Sequence, residues 1–473
     1  MKGMYTVFKT PNQYYLFDGN ISKLVCINKN TFFALQRITH GDFAEDDLMY
    51  LEYLQDKGIC LPPVIQEIEH PETPLIDSYF DNMLGGICLQ ITQNCNLRCS
   101  YCPYSENSDY INRQHSNGVM PLSVAIDAID YYFSHSKNSK RHHISFYGGE
   151  PLLEMDLIKK IVSYIQEKYP YINVTYPITT NATLLIEENI DYLVKNNFSI
   201  TISLDGPEKY HNQHRLYSSG KGSFETVVLN LMNFKKKYPQ AYEGVAFNSV
   251  LVPENDYSEY VNFFCNSPIT KNNIFSLVRL SPNYTDVAAK YPDEYFISSA
   301  YSRLGGMLDS IHAIQLEHKD PFTIKWIGSV TEKYREIQNM GILSIKTHPG
   351  GPCIPGKDKL FININGDFFP CERVSETSSL MKIGDIHSGI DVGKISNIIN
   401  VARCTKDACM SCWCFSHCTQ CAAYADNLGD SWSAAKRLSN CKEVKLTLME
   451  QLKDICFLLE NGYNFHKRVL GQQ

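Results

Sequence analysis

Three cysteines fall within eight residues, Cys95-Asn96-Leu97-Arg98-Cys99-Ser100-Tyr101-Cys102, directly after an apolar, strand-like run at 87–91. Three thiolates in one short loop make a soft metal site, and sulfur ligands select iron–sulfur, zinc or copper(I). A structural zinc or cluster site usually takes four protein ligands. A loop that supplies three leaves one metal position open to a small molecule, which ties this chain to a scaffold that presents the loop to a ligand.

At 473 residues the chain exceeds one compact core, and about three domains is the soft expectation. No run approaches the ~18 apolar residues of a membrane span, and residues 1–9 lack a signal-peptide core. The expected location is the cytoplasm, where the 17 cysteines are mostly reduced and clustered spacings imply metal rather than disulfides. A net charge of -7 makes no case for nucleic acid, so neither nucleic acid nor membrane is expected as a partner. Lys235-Lys236-Lys237 reads as the solvated end of a helix.

The cysteine spacing, with an aromatic at Tyr101 before the last thiol, resembles the signature of radical S-adenosylmethionine enzymes. In that family the open iron of a [4Fe-4S] cluster chelates the amine and carboxylate of S-adenosylmethionine. Cys95, Cys99 and Cys102 are then the expected ligands of a core cluster, with Tyr101 beside the cofactor. A zinc knuckle is the competing reading.

From 86 to about 325 strand and helix patterns alternate. Strands are expected at 86–91, 143–147, 173–178, 198–204, 245–252 and 274–280, with helices at 123–134, 156–168, 187–196 and 224–237. The alternation argues a parallel sheet, here a partial (β/α)6 TIM-like barrel in the α/β class, with chemistry on loops leaving the C-terminal strand ends. Tyr147-Gly148-Gly149-Glu150-Pro151 resembles the family's second motif, in which glycines admit the ligand and the carboxylate holds the cofactor's amine. Thr179-Thr180-Asn181-Ala182-Thr183 resembles a Thr-Asn-Gly-Thr motif, with Ala182 in the place of glycine; a capped helix start is the alternative. Ser203-Leu204-Asp205-Gly206-Pro207, His211-Asn212-Gln213-His214-Arg215 and Gly220-Lys221-Gly222-Ser223-Phe224 resemble the peptide-modifying branch. There Arg215 matches an arginine that meets the cofactor's carboxylate, Asn212 replaces an aspartate, and Ser203 and Asp205 approach the ribose or substrate. Asp205 is the one protein side chain with a possible catalytic role; a turn-closing aspartate is its other reading.

Residues 1–70 read as three short strands (5–8, 14–17, 23–27) followed by helical patterns at 31–38 and 46–54. The order resembles the winged-helix-like element that recognises the leader of a ribosomal precursor peptide, a mode in which the peptide adds to a sheet edge; a generic cap or a DNA-binding winged helix are alternatives. Proline-rich residues mark a linker, taken as 71–85.

Past 340, a hairpin is expected around Asn365-Gly366, between 360–364 and 367–369. Cys353 precedes it and Cys371 follows it; Cys404, Cys409, Cys412, Cys414, Cys418, Cys421 and Cys441 come after. This pattern resembles the SPASM extension of peptide-modifying radical enzymes. The resemblance assigns Cys409, Cys412, Cys418 and Cys441 to an outer auxiliary [4Fe-4S] cluster, and Cys353, Cys371 and Cys421 to an inner one; either Cys404 or Cys414 completes that inner set, or its fourth iron is open. A zinc ribbon is the alternative. Cys26, Cys60, Cys88, Cys265 and Cys456 fit no cluster and read as small core residues. A packing helix is expected at 442–459.

The expected organisation is thus 1–70 leader recognition, 71–85 linker, 86–325 core barrel, 326–445 cysteine-rich SPASM extension and 446–473 C-terminal helix. The resemblance implies an oxidoreductase that uses a 5′-deoxyadenosyl radical to modify a precursor peptide carrying a leader, with a reductase such as flavodoxin or ferredoxin as electron donor. Thioether formation, as in maturases of cysteine-rich peptides of the ranthipeptide type, is the first expectation. Carbon–carbon or carbon–oxygen crosslinking, epimerisation, activation of a partner such as a sulfatase, and a non-catalytic metal-binding role are the alternatives.

Overall fold

The computed structural model describes residues 3–102, 115–252, 254–280, 283, 291–316, 321–351, 353–357 and 359–466. Its first three strands, β1 (Tyr5–Lys9), β2 (Tyr14–Asp18) and β3 (Lys23–Ile27), form an antiparallel meander in that order. Asp18 closes the turn between β2 and β3, accepting from the amides of Asn20 at 2.8 Å and Cys60 at 2.6 Å. Helix Lys29–His40 starts on Asn28, whose side chain accepts from Thr31 N, and ends at Gly41 in the left-handed region. With helix Glu45–Asp56 it packs Leu35, Ile38, Leu51 and Leu54 onto Tyr5 and Leu16. Expected strands and helices both form.

Alternation along β2 sends Tyr15 and Phe17 to the opposite face from Leu16. That face is buried too. Phe8, Tyr15 and Phe17 share a core with Leu448, Leu452 and Ile455 of the last helix, Cys441–Glu460, and with Ile327 and Val330 of helix Pro321–Asn339. Glu460 accepts from Thr10 Oγ1 at 2.6 Å, Tyr15 Oη at 2.7 Å and Asn12 Nδ2 at 3.1 Å. A Cβ on Gly19 would lie 2.1 Å from the carbonyl oxygen of Trp413. The N-terminal sheet is therefore built into the same body as the C-terminal helix.

The stretch 71–85, expected to be a plain linker, carries a helix, and a short strand precedes it. Two-residue strands β4 (Glu67–Ile68) and β11 (Lys346–Thr347) pair in parallel, and helix Ile76–Asn82 buries Ile76 and Phe80, an i,i+4 pair that the proline count obscured.

Six strands follow in parallel register: β5 (Gly86–Thr92), β6 (His142–Gly148), β7 (Val174–Thr180), β8 (Phe198–Ser203), β9 (Ala246–Leu251) and β10 (Ile274–Arg279). Each lies within two residues of its expected position, and the four expected helices form as Leu122–Ser134, Met155–Lys168, Glu187–Lys195 and Phe224–Lys237. The sheet stays open. Every residue of β5 is buried, which requires partners on both sides. On the side away from β6 it pairs in parallel with β12 (Leu360–Ile362), and β13 (Asp367–Phe369), β14 (Gly384–Asp385) and β15 (Gly389–Ile390) continue the sheet antiparallel. The Asn365-Gly366 hairpin thus forms as an extension of the barrel sheet. Asn363 shortens its first strand by accepting from the amides of Asn365 at 3.0 Å and Asp367 at 2.9 Å.

Cys60, Cys88 and Cys456 are buried as expected, and Cys265 is half-buried. Cys26 differs. It is exposed, because β3 is an edge strand and residue 26 faces outward from it. No helix among the described residues is long and apolar enough to cross a membrane.

Because Phe17 is fully buried between the N-terminal sheet and Trp413 and His417, Phe17→Ala should destabilise the whole protein by about 3–5 kcal/mol. Denaturant titration followed by two spectroscopic probes checks this. A main transition left unmoved by the substitution would mean that the N-terminal sheet melts by itself.

Candidate active site at the C-terminal strand ends

The loop after β5 holds Cys95, Cys99 and Cys102, and the end of β6 lies against it with no side chain between. Gly148 has φ +140, and a Cβ there would stand 2.1 Å from Thr92 O; a Cβ on Gly149 would stand 2.1 Å from Asn94 O. The amides of Gly149 and Glu150 instead donate to Thr92 O at 2.8 Å and Asn94 O at 2.9 Å. Glycine at these two positions is what lets strand and loop touch. On its other side the loop is pinned by the end of the His211–Arg215 motif and the residue after it: Arg98 N donates to Leu216 O and Ser100 N to His214 O.

Glu150 is buried, and its carboxylate accepts from Thr180 Oγ1 at 2.7 Å, Asn181 N at 2.7 Å and Leu152 N at 3.1 Å. Burial pushes its acid up to about 7, against the pull of those donors and of Arg215. Pro151 follows, opening a short 3-10 turn. Asn181 Nδ2 donates to Asn96 Oδ1 at 2.9 Å and lies 3.8 Å from Cys95 Sγ. Ala182 has φ +62, a backbone position at which glycine is unstrained. Asn230 Nδ2 fixes the loop from behind, donating to the carbonyls of Ala182 at 2.9 Å and Thr183 at 3.1 Å. The next helix starts at Glu187 with no side-chain cap, so 179–183 is not a capped helix start.

Ser203 ends β8, and Asp205 follows as the hub of a buried network. Its carboxylate accepts from Arg215 Nε at 2.9 Å, Arg215 Nη2 at 3.3 Å, Val250 N at 3.0 Å and Tyr101 Oη. The Arg215 guanidinium stands 5.5 Å from the Tyr101 ring centre, and its remaining nitrogen, Nη1, is 4.0 Å from Cys99 Sγ. Arg215 is thus held by a protein carboxylate, and only Nη1 faces the thiols. His211 Nδ1 accepts from Asp205 N at 3.4 Å, its Nε2 meets Ser223 Oγ at 2.9 Å, and that hydroxyl donates to Arg215 O at 2.7 Å. Burial pushes the imidazole down to about 3, so it serves as a neutral spacer. Asn212 Oδ1 accepts from Phe224 N at 3.0 Å at the start of helix Phe224–Lys237. An uncharged amide suffices for that contact.

The cysteines sort into three neighbourhoods. The Cys95 thiol is pushed up to about 12 by burial and then Glu150, with Cys99 and Cys102 adding. Cys371 is pushed up to about 11 by burial and Glu372, with Cys353 and Cys421 adding. Cys412 is pushed up to about 11 by burial, with Cys409 and Cys418 adding, and Cys418 in turn feels Cys409 and Cys441. Cys404 stands with Cys409 and Arg437. Cys414 is buried in the apolar core beside Phe17 and Leu448. Among the described residues no three His, Cys, Asp or Glu side chains stand at metal-holding spacing, so the grouping rests on mutual proximity and donor chemistry. The donor chemistry of these three sets is that of iron–sulfur groups, whose binding would displace the thiol protons.

Residues 89–264 match the model of the radical SAM superfamily. The chain carries a radical SAM domain, an enzyme domain that uses S-adenosylmethionine and a [4Fe-4S] cluster. It is 32% identical over 175 residues to a cysteine-type anaerobic sulfatase-maturating enzyme of Clostridium novyi, covering 36% of this chain and 44% of that one. It is 28% identical over 322 residues to the radical SAM cyclopropyl synthase TigE of Paramaledivibacter caminithermalis, covering 61% of this chain and 66% of that one. The match thus spans less than half of the first relative and about two thirds of the second. In fold, the chain is similar to native anSMEcpe with bound AdoMet and Cp18Cys peptide, with a TM-score of 0.59, 18% identity, and 79% of this chain and 99% of that one covered.

Asp205→Asn should leave the buried Arg215 uncompensated and cost about 3–5 kcal/mol of stability, read as a drop in thermal midpoint. A loss under about 1 kcal/mol would mean that the pair contributes no more than an exposed one.

Proposed function

We propose that this chain is a radical S-adenosylmethionine maturase of a ribosomally made precursor peptide, and that it joins a cysteine sulfur to a carbon of that peptide. The observation that carries the reading is the convergence, at one set of strand ends, of three neighbouring thiols with a buried carboxylate and a locked arginine. Cys95, Cys99 and Cys102 would hold the core cluster. Glu150, in the cradle shaped by Gly148, Gly149 and Pro151, would take the cofactor's amino group, an ion pair that relieves the cost of burying its charge. Arg215 would meet the cofactor's carboxylate through Nη1, because Asp205 holds its other face. Tyr101, Asn181 and Ser203 would line the same mouth. Asp205 anchors Arg215 rather than moving a proton, since its oxygens are occupied.

Bound cluster and cofactor supply electron transfer and hydrogen abstraction; the protein's part is to orient them and exclude water. Cys353, Cys371 and Cys421 would hold an inner auxiliary cluster with three protein ligands. Cys409, Cys412, Cys418 and Cys441 would hold the outer one, with Cys404 beside it and Cys414 as a packing residue. Thioether closure removes two hydrogens from the peptide: the carbon-bound one would leave as an atom to the cofactor-derived radical, while the thiol would release its proton to solvent and its electron to the auxiliary groups, which would return it to the oxidised core cluster. A flavodoxin- or ferredoxin-type reductase would supply the electron that first primes the core cluster.

Residues 1–70 would read the leader. The meander ends at β3, which has no further strand partner among the described residues, and a peptide can add there by backbone hydrogen bonds. The name of the sulfatase-maturating relative supports a protein or peptide substrate, as does the bound peptide of the similar solved structure. A second reading, activation of a partner protein, is favoured by the sulfatase-maturating relative.

Anaerobic co-expression with the short peptides encoded beside this chain, followed by mass spectrometry, tests the proposal. A peptide lighter by two hydrogens, with a cysteine no longer alkylatable, is the expected product. It should be abundant with the leader and scarce without it. Replacing Cys95, Cys99 and Cys102 together by alanine should abolish 5′-deoxyadenosine formation and leave other bound iron in place. Cofactor cleavage with no peptide product, but with modification of a co-expressed sulfatase, would replace the maturase reading by the activator one.

A further inference from the structure

Arg437 is the largest fully buried side chain of the described residues, with 1% of its surface exposed. It lies on the short helix Ala434–Ser439, one turn before Cys441. Neither Nη1 nor Nη2 has a hydrogen-bond partner. A guanidinium does not give up its proton in a protein, so a full positive charge is buried there with both terminal nitrogens unsatisfied. Such a charge requires an anion.

The surroundings say where that anion sits. The thiols of Cys404 and Cys418 both feel Arg437, and Cys418 also feels Cys409 and Cys441. His348 is pushed down to about 4 by burial and by the cations around it, Arg437 among them. It stays neutral, and offers no negative charge. Gln420, also buried, donates from Nε2 to Cys441 Sγ at 3.4 Å, while its Oε1 has no partner. Cys441 Sγ itself lies 3.9 Å from the carbonyl oxygen of Arg437. Four thiolates around an iron–sulfur core carry a net negative charge and would balance the guanidinium.

We infer that Arg437 is the built-in counter-charge of an anionic iron–sulfur cluster on Cys409, Cys412, Cys418 and Cys441, and that it raises the reduction potential of that cluster. The inference rests on the reading of those four cysteines as cluster ligands. Arg437 is a positioning residue and touches no reacting atom. A fixed positive charge beside a cluster favours its reduced, more negative form, and net charge and hydrogen bonds to sulfur are established determinants of cluster potential. Gln420 supplies the hydrogen bond and Arg437 the charge.

The test uses the anaerobically loaded full chain, with iron content and spectroscopically followed redox titration as readouts. Arg437→Met removes the charge at similar length, and Arg437→Lys keeps it. Arg437→Met should lower the midpoint of one auxiliary signal so that its reduced-to-oxidised ratio at fixed potential falls at least tenfold, about 59 mV for one electron. The core signal should not move, and Arg437→Lys should shift the auxiliary signal by less than half as much. Selective loss of one cluster's iron in Arg437→Met, with retention in Arg437→Lys, also supports the inference. Full iron with every midpoint unchanged in Arg437→Met overturns it, as does equal loss of iron in both variants. Wild-type protein with zinc at these thiols, or with no iron beyond one cluster, would overturn the ligand reading itself.

Discussion

The active-site mouth depends on a contact between two backbones. Where β6 ends and the cysteine loop begins, Gly148 and Gly149 face Thr92 and Asn94 at a distance that no Cβ could occupy. That contact brings the three thiols over the end of the sheet and places the Glu150 carboxylate beneath them. A methyl group at either glycine would push the loop outward, and the thiols would leave Glu150, Asn181 and Arg215 behind. The hydrogen bonds that close the contact are main-chain only, so its geometry is fixed by the fold rather than by mobile side chains.

Buried charge is the second organising theme. Glu150 is balanced by three donors, and Arg215 by Asp205 with Tyr101 and Val250. The ion pair is thereby committed before any ligand arrives, which leaves one guanidinium nitrogen directed at Cys99. Preorganised groups of this kind cost little to reorient when a charged cofactor binds. Arg437 breaks the pattern, buried with both terminal nitrogens unpartnered.

The N-terminal sheet and the cysteine-rich region are mechanically continuous with the barrel. β2 shares apolar contacts with Trp413 and with the last helix, and Ser22 Oγ meets His417 Nε2 at 2.8 Å, one residue from Cys418. A peptide docked along β3 would therefore lie on a sheet packed against the segment next to Cys418.

The strands and helices of the barrel, the Asn365-Gly366 hairpin and the cysteine motifs were legible in the sequence. Each is written in residues close in the chain: alternation, helical spacing, turn chemistry and short gaps between thiols. What those signals could not carry was the choice of partners. Tyr101 and Asp205 lie 104 positions apart, and Gln90 and the backbone of Ile364 lie 274 apart. The joining of the hairpin to β5, the anchoring of Arg215 by Asp205, the outward turn of Cys26 and the second buried face of β2 were all decided by tertiary packing. The grouping of Cys404 with Cys409, and the burial of Cys414 in an apolar core, likewise could not be read from spacing. The sequence by itself determined which chemistry-bearing groups the chain possesses and which strand end carries each. Only the tertiary structure decided which charges meet, because burial makes an unpaired charge costly and the partner that relieves it comes from wherever the packed core brings one within reach.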